Sequence, residues 1–247
     1  MNLNQVTYGN PTQKVFKLLN SNGLVDDLFE SLKKETMPTN DSELTKEELN
    51  EIVEGISLLE NPENDSFLKR YKSYDRSLVQ SITTIFKQKG IDVEQLCTDI
   101  QNDINPLIAK LKVHYNRPRP YQLANYYKLK LFPFESFSAE SASFPSGHTT
   151  QSYVMLNVIG SMYPIHYKYC KQVIDDIAES RKNLGLHYQS DNDYSIFVGE
   201  QILKHKEFAK KYEIWKSNQS LNYNQLFVDI WVINIAKFYF CQTLLPV

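Results

Sequence analysis

The chain is predicted to be all-α, and three observations carry that expectation. Apolar residues recur at helical spacing along most of its 247 residues. No stretch alternates apolar and polar residues in the way a half-buried strand does. The 8 glycines are too few for a sandwich built on many tight turns, and none forms a glycine-rich nucleotide loop. The length suits one large domain or two small ones, and a hydrophobic content of 42% is enough for a sizeable core.

The elements follow in order. Thr45 with Glu48 reads as a capping box, with Leu49, Ile52, Val53, Ile56 and Leu59 on one face behind it. Phe67, Tyr71, Leu78, Ile82 and Ile85 form a second stripe, ended by Gly90. Leu96, Ile100, Ile104, Leu107, Ile108 and Leu111 form a third, in which Pro106 is expected to introduce a kink because proline lacks the backbone donor. From Asn116 to Gly147 the chain turns irregular, with Pro118, Pro120, Pro133 and Pro145 set among aromatics. Long ordered loops of this kind often carry function. Helical spacing resumes near Thr149, from about Lys168 to Lys182, from about Asp193 to Lys206 and from about Tyr223 to Tyr239. Residues 1–247 are read as a single helical domain, with 1–60 an N-terminal helical appendage that either completes the bundle or mediates a homo-oligomer.

Composition excludes several classes. Lys+Arg 27 against Asp+Glu 29 gives a net charge of -2, which offers no basic excess for nucleic acid. A mean hydropathy of -0.44 fits a soluble globular surface. Thr149–Tyr167 and Leu226–Val247 are apolar but interrupted by polar residues, and both read as buried core helices, not membrane spans. The N-terminus lacks the basic start and apolar run of a secretory signal, so a cytoplasmic location is expected, or a periplasmic or secreted one if a signal has been removed. Cys97, Cys170 and Cys241 are read as isolated buried thiols.

Three segments concentrate chemistry: Lys112-Val-His-Tyr-Asn-Arg-Pro-Arg119-Pro120, Pro145-Ser146-Gly147-His148, and Ser180-Arg181 followed by His187 and Asp191. Lys112, Arg119 and Arg181 suit a phosphate dianion, arginine through planar bidentate donors and lysine as a compact charge. Ser146 and Gly147 precede a helical run, where a hydroxyl and free backbone N–H groups can cradle an anion. Two histidines suit proton transfer and nucleophilic attack near neutral to acid pH. Asp191, four residues after His187, is placed to orient an imidazole and stabilise its cation. Arg117 reads as a surface residue, as do His114, His166 and His205 where they are not structural. Tyr126, Tyr127, Phe132, Phe134, Phe137 and Phe144 read as core and lid packing, with Phe144 the best candidate to stack on a substrate. Glu135 and Glu140 carry no assigned role.

These segments resemble the signature of the type 2 phosphatidic-acid phosphatase / vanadium haloperoxidase superfamily: Lys-x6-Arg-Pro, Pro-Ser-Gly-His, and Ser-Arg-x5-His-x3-Asp. Every specified residue is present and in order. The runs His187-Tyr-Gln-Ser-Asp191 and Ser143-Phe-Pro-Ser-Gly-His-Thr149 are most similar to bacterial class A non-specific acid phosphatases. The motif-bearing region spans residues 112–199.

The resemblance implies a helical bundle of the acid phosphatase/vanadium-dependent haloperoxidase type, with the three motifs meeting at one end. It implies a metal-independent phosphomonoesterase acting on a small-molecule phosphate ester through a phosphohistidine. His187 would be the nucleophile, Asp191 its support and His148 the acid and then the base. Lys112, Arg119, Ser146, Gly147 and Arg181 would bind phosphate oxygens, and no cofactor would be needed. Two alternatives share the site. One takes lipid phosphates or diphosphates. The other is a vanadium-dependent haloperoxidase, in which vanadate would fill the phosphate pocket. A binding protein with a degenerate site is disfavoured because no motif residue is missing.

Overall fold

A computed structural model describes residues 2–214. Among these residues the regular structure is helical: α1 Gln13–Leu19, α2 Phe29–Leu32, α3 Glu43–Glu60, α4 Asp65–Arg76, α5 Leu78–Lys87, α6 Glu94–Tyr115, α7 Pro120–Ala124, α8 Gly147–Met162, α9 Tyr167–Asn183, α10 Gln189–Lys204 and α11 Lys206–Lys211. The expected all-α class holds. The expected helix over 223–239, the apolar run 226–247 and Cys241 lie outside the described residues.

Helix α8 is central. It is apolar nearly all round because α6, α9 and α10 pack against it, and Val154, Met155, Leu156, Val158 and Ile159 are buried. Asn192 ties these layers, accepting from Thr149 Oγ1 at 2.7 Å and donating to the Ala178 carbonyl at 3.0 Å. A second apolar cluster joins α3 to the irregular segment and to the start of α10: Leu49, Ile52 and Ile56 meet Leu123 and Leu131 of the former and Tyr188 of the latter. Cys97 and Cys170 are free and buried, as read from their isolation. No helix among the described residues is long and apolar enough to cross a membrane.

Local chemistry moves several boundaries. Ser42, not Thr45, caps α3, its hydroxyl accepting from the Thr45 N–H at 3.1 Å. The capping-box reading of Thr45 and Glu48 therefore fails, and both side chains point elsewhere. The second stripe breaks into α4 and α5 because Ser77 takes an extended backbone and caps α5 through Gln80. Phe67, read as part of that stripe, is 44% exposed. Helix α6 continues through Pro106 to Tyr115 and ends on Asn116 in the left-handed conformation, which asparagine tolerates. That ending turns the chain back so that Arg117 and Arg119 face the bundle.

Candidate active site

The third motif explains itself through a helix end. Helix α9 closes with Gly185 at φ +80°, donating to the Lys182 carbonyl at 2.8 Å while Leu186 donates to Arg181 at 3.1 Å. This is a Schellman ending, and glycine is needed there because L side chains avoid that φ. The His187 N–H also donates to the Arg181 carbonyl, at 3.2 Å. The five-residue spacer is thus the turn that returns His187 beside Arg181.

Helix α10 begins at once. Asp191, in its first turn, accepts from the Tyr188 N–H at 3.1 Å, and Glu48 of α3 accepts from the Ser190 N–H at 2.5 Å. Two orphan donors of the helix start are so satisfied by carboxylates, which the helix dipole favours. The helix consequently starts four residues before the periodic run that announces it.

The side chains converge on one cavity of about 360 Å³, lined by Lys112, Arg119, Gly147, His148, Arg181 and His187 among others. His187 Nδ1 lies 3.0 Å from Asp191 Oδ2, and Nε2 lies 2.8 Å from Arg119 Nη1. A carboxylate accepts and a guanidinium donates, so Nδ1 carries the proton and Nε2 presents its lone pair. Asp191 also receives Arg117 Nη1 at 2.6 Å and the Ser143 hydroxyl. Burial alone would raise the Asp191 carboxyl, but Arg117, His187 and Ser143 outweigh it and hold the group well below the usual carboxylate range.

Both histidines are shifted toward neutrality. Burial, then Arg119 and Lys112, lower His187 well below 6.5 against the pull of Asp191. Burial, then Arg181 and Lys112, lower His148 likewise, opposed by Asp75 and a hydrogen bond to the Tyr74 backbone. Burial and Arg119 also lower Lys112, and burial and Arg181 bring Arg119 down to about 10. The buried cations repel one another. Lys112 Nζ donates to the Ala142 carbonyl at 2.6 Å, whereas Arg181 Nε and Nη1 are buried and without a partner among the described residues.

Two of the expected residues stand apart. Asp191 sits behind His187, not on the cavity wall. The Ser146 hydroxyl, fully buried, meets Thr149 Oγ1 at 2.9 Å and caps α8, and its N–H reaches the Asp191 carbonyl at 3.4 Å. Gly147 and His148 in the first turn of α8 present N–H groups with no intrahelical acceptor. A Cβ on Gly147 would meet nothing closer than Lys112 Cε at 3.7 Å. Among the described residues the protein's own packing therefore leaves room for a side chain at this position.

Other expectations are corrected. Arg117 is not at the surface: it is fully buried because two carboxylates and the Tyr188 ring enclose it. Phe144 does not line the cavity. It is buried, stacked on Tyr194 with centroids 4.4 Å apart. The aromatic on the cavity wall is Phe137, 59% exposed.

Asp75 went unnoticed in the sequence. Its carboxylate accepts from Arg181 Nη2 at 2.9 Å, Ser136 Oγ at 2.8 Å, Ser138 Oγ at 2.6 Å and the Phe137 N–H at 2.7 Å. Burial would raise it, but Arg181 and these donors bring it down to about 2. The signal was present: Asp75 lies four residues after the apolar Tyr71, so it shares that helical face.

Residues 100–203 match the family model of the PAP2 superfamily. The crystal structure of a transmembrane PAP2-type phosphatidylglycerolphosphate phosphatase from Bacillus subtilis is similar at 18% identity and a TM-score of 0.47, over 76% of this chain and 91% of that one. No curated protein matches the chain. With all three motif segments inside the matched span, residues 100–203 constitute a PAP2 superfamily domain.

Proposed function

We propose that the protein is a metal-independent phosphomonoesterase working through a phosphohistidine. One observation carries the reading: three cations and two histidines meet in one cavity, with Arg181 Nε and Nη1 buried and unpartnered among the described residues. Such buried donors are satisfied by an anion, and phosphoryl transfer depends mainly on positioning and charge stabilisation.

In the first step the Nε2 lone pair of His187 attacks phosphorus. The P–N bond forms as the ester P–O bond breaks, and His148 protonates the leaving alkoxide. Asp191 supports the positive charge that develops on the His187 ring. In the second step His148 takes a proton from water, the hydroxide attacks phosphorus, the P–N bond breaks and inorganic phosphate leaves. Lys112, Arg119, Arg181 and the N–H groups at the start of α8 hold the phosphoryl oxygens throughout.

Beyond the cations the cavity wall carries Val15, Leu18, Leu78, Val79 and Ile108. This wall favours a second reading, in which the ester's organic part is an apolar tail. A rise in kcat/KM with alkyl chain length would support it, and a flat series would exclude it.

The test is p-nitrophenyl phosphate hydrolysis with chelator present, with and without orthovanadate. Vanadate-inhibited, chelator-insensitive turnover is expected. His187→Ala should abolish turnover and phosphoenzyme. His148→Ala should slow alkyl esters far more than aryl esters, because good leaving groups need less protonation. Phosphoenzyme retained in His187→Ala would refute the nucleophile assignment.

A further inference from the structure

Behind Asp191 lies a buried chain of charge that the reaction above leaves unused. Arg117 Nη1 donates to Asp191 Oδ1 at 2.6 Å and to Ser190 Oγ at 2.8 Å. Its Nη2 donates to Glu48 Oε2 at 3.3 Å and Thr45 Oγ1 at 3.4 Å. The guanidinium carbon sits 3.8 Å from the centre of the Tyr188 ring. Glu48 in turn accepts from the Ser190 N–H at 2.5 Å and the Ser190 hydroxyl at 3.0 Å. One cation therefore joins carboxylates of α3 and α10, and neither Arg117 nor Glu48 lines the cavity. Glu48 lies outside the span that matches the PAP2 family.

The arrangement has a consequence for the reacting histidine. A guanidinium this close to Asp191 competes with the imidazolium for the same carboxylate. The more of its positive charge is left unbalanced, the less Asp191 can do for a phosphorylated His187. A second carboxylate on the far side of Arg117 offsets that competition while leaving its geometric hold on Asp191 intact.

We propose that Glu48 and Arg117 are positioning residues for the His187–Asp191 pair: Arg117 holds the Asp191 carboxylate in line with Nδ1, and Glu48 balances Arg117 so that Asp191 keeps its strength toward the imidazolium. The proposal rests on the reading of His187 as nucleophile. It makes the N-terminal helix α3 part of the catalytic unit, through a charge that never touches substrate. At pH 7 the groups that face Glu48 are Arg117, Ser190 and Asp191, and those that face His187 are Arg119, Asp191 and Lys112.

The test is a charge-balance cycle at pH 7 with p-nitrophenyl phosphate. Glu48→Gln keeps the shape and removes the charge. It should lower kcat roughly tenfold, a coupling of ordinary size for contacting groups, with KM within about twofold because the phosphate ligands are untouched. Arg117→Gln leaves two buried carboxylates facing each other and should lower kcat further. The double variant restores neutrality and should recover part of the Arg117→Gln loss, remaining below wild type. A merely structural role would also let the double variant recover, but in folded yield and Tm, leaving kcat of the folded single variants unmoved. The proposal is overturned if folded Glu48→Gln retains wild-type kcat, if KM rises in step with the loss, or if the double variant shows no recovery. Where a single variant does not fold by circular dichroism, the balanced double variant decides: reduced kcat at unchanged KM supports the proposal, and wild-type kcat overturns it. Trapping labelled phosphoryl on His187 of the wild type separates the two layers. Its absence would sink the nucleophile reading, whereas its presence together with wild-type kcat in Glu48→Gln would sink this inference alone.

Discussion

His148 faces opposing demands. As general acid it must carry a proton, yet burial, Arg181 and Lys112 all disfavour its charged form. Asp75 and the Tyr74 backbone work in the other direction. A pKa below 6.5 means that the acid form is lost as pH rises through that lowered value, so the basic limb of kcat/KM should lie on the acid side of 6.5. A bound phosphoryl group adds negative charge and favours the imidazolium. The basic limb of kcat, which reports the complex, should therefore lie at higher pH than that of kcat/KM. Asp75→Asn removes the opposing carboxylate and should move the basic limb of kcat/KM down by about one unit. It also loosens Arg181, so KM should rise. A pH–rate profile superimposable on wild type would show that Asp75 serves packing alone.

At the scale of elements, the site depends on how closely α3 lies against α9. Gly55 makes that approach: a Cβ there would run into the Asn183 side chain and come within 3.2 Å of its Cα. Gly55→Ala gains up to about 1 kcal/mol of helix propensity. Overpacking against a backbone atom costs about 1–3 kcal/mol and should win. A lowered Tm is expected, and an unchanged or raised Tm would mean that the α3–α9 contact yields freely. The same contacts explain what was legible beforehand. The three motifs could be read because their spacings are local: a last helical turn, a glycine turn and a first helical turn follow one another along the chain. Asp75 meets Arg181 across 106 residues, Arg117 meets Asp191 across 74 and Glu48 meets Ser190 across 142. No short pattern encodes such pairs, and each of these residues shows only a charge near an apolar helical stripe. Ser77 splits the second stripe for a related reason, since a cap and a helix-interior serine look alike until the backbone is known.

At the scale of the molecule, the buried and charged end of the bundle links stability to pH and to ligand. His148 and His187 are held neutral in the fold but titrate near 6.5 when unfolded. Their contribution is therefore complete above about 6.5 and lost as pH falls. Asp75 has a folded value of about 2 against roughly 3.9 unfolded. Its contribution is present above about 4 and lost as pH drops toward 2. Both slopes have the same sign, so Tm should fall on acidification in two stages, the first through the histidine range. Ligand acts against this loss. Lys112, Arg119 and Arg181 repel one another, and an anion bound among them removes that repulsion only in the folded state. Phosphate or vanadate at a hundred times its Kd should raise stability by about 2.7 kcal/mol, read as a higher Tm in a thermal scan. Arg181→Met should abolish the rise while chloride at equal ionic strength leaves the wild-type Tm unmoved. A Tm that responds equally to chloride and phosphate would mean that the three cations form no specific anion site, and the phosphatase reading would lose its main support.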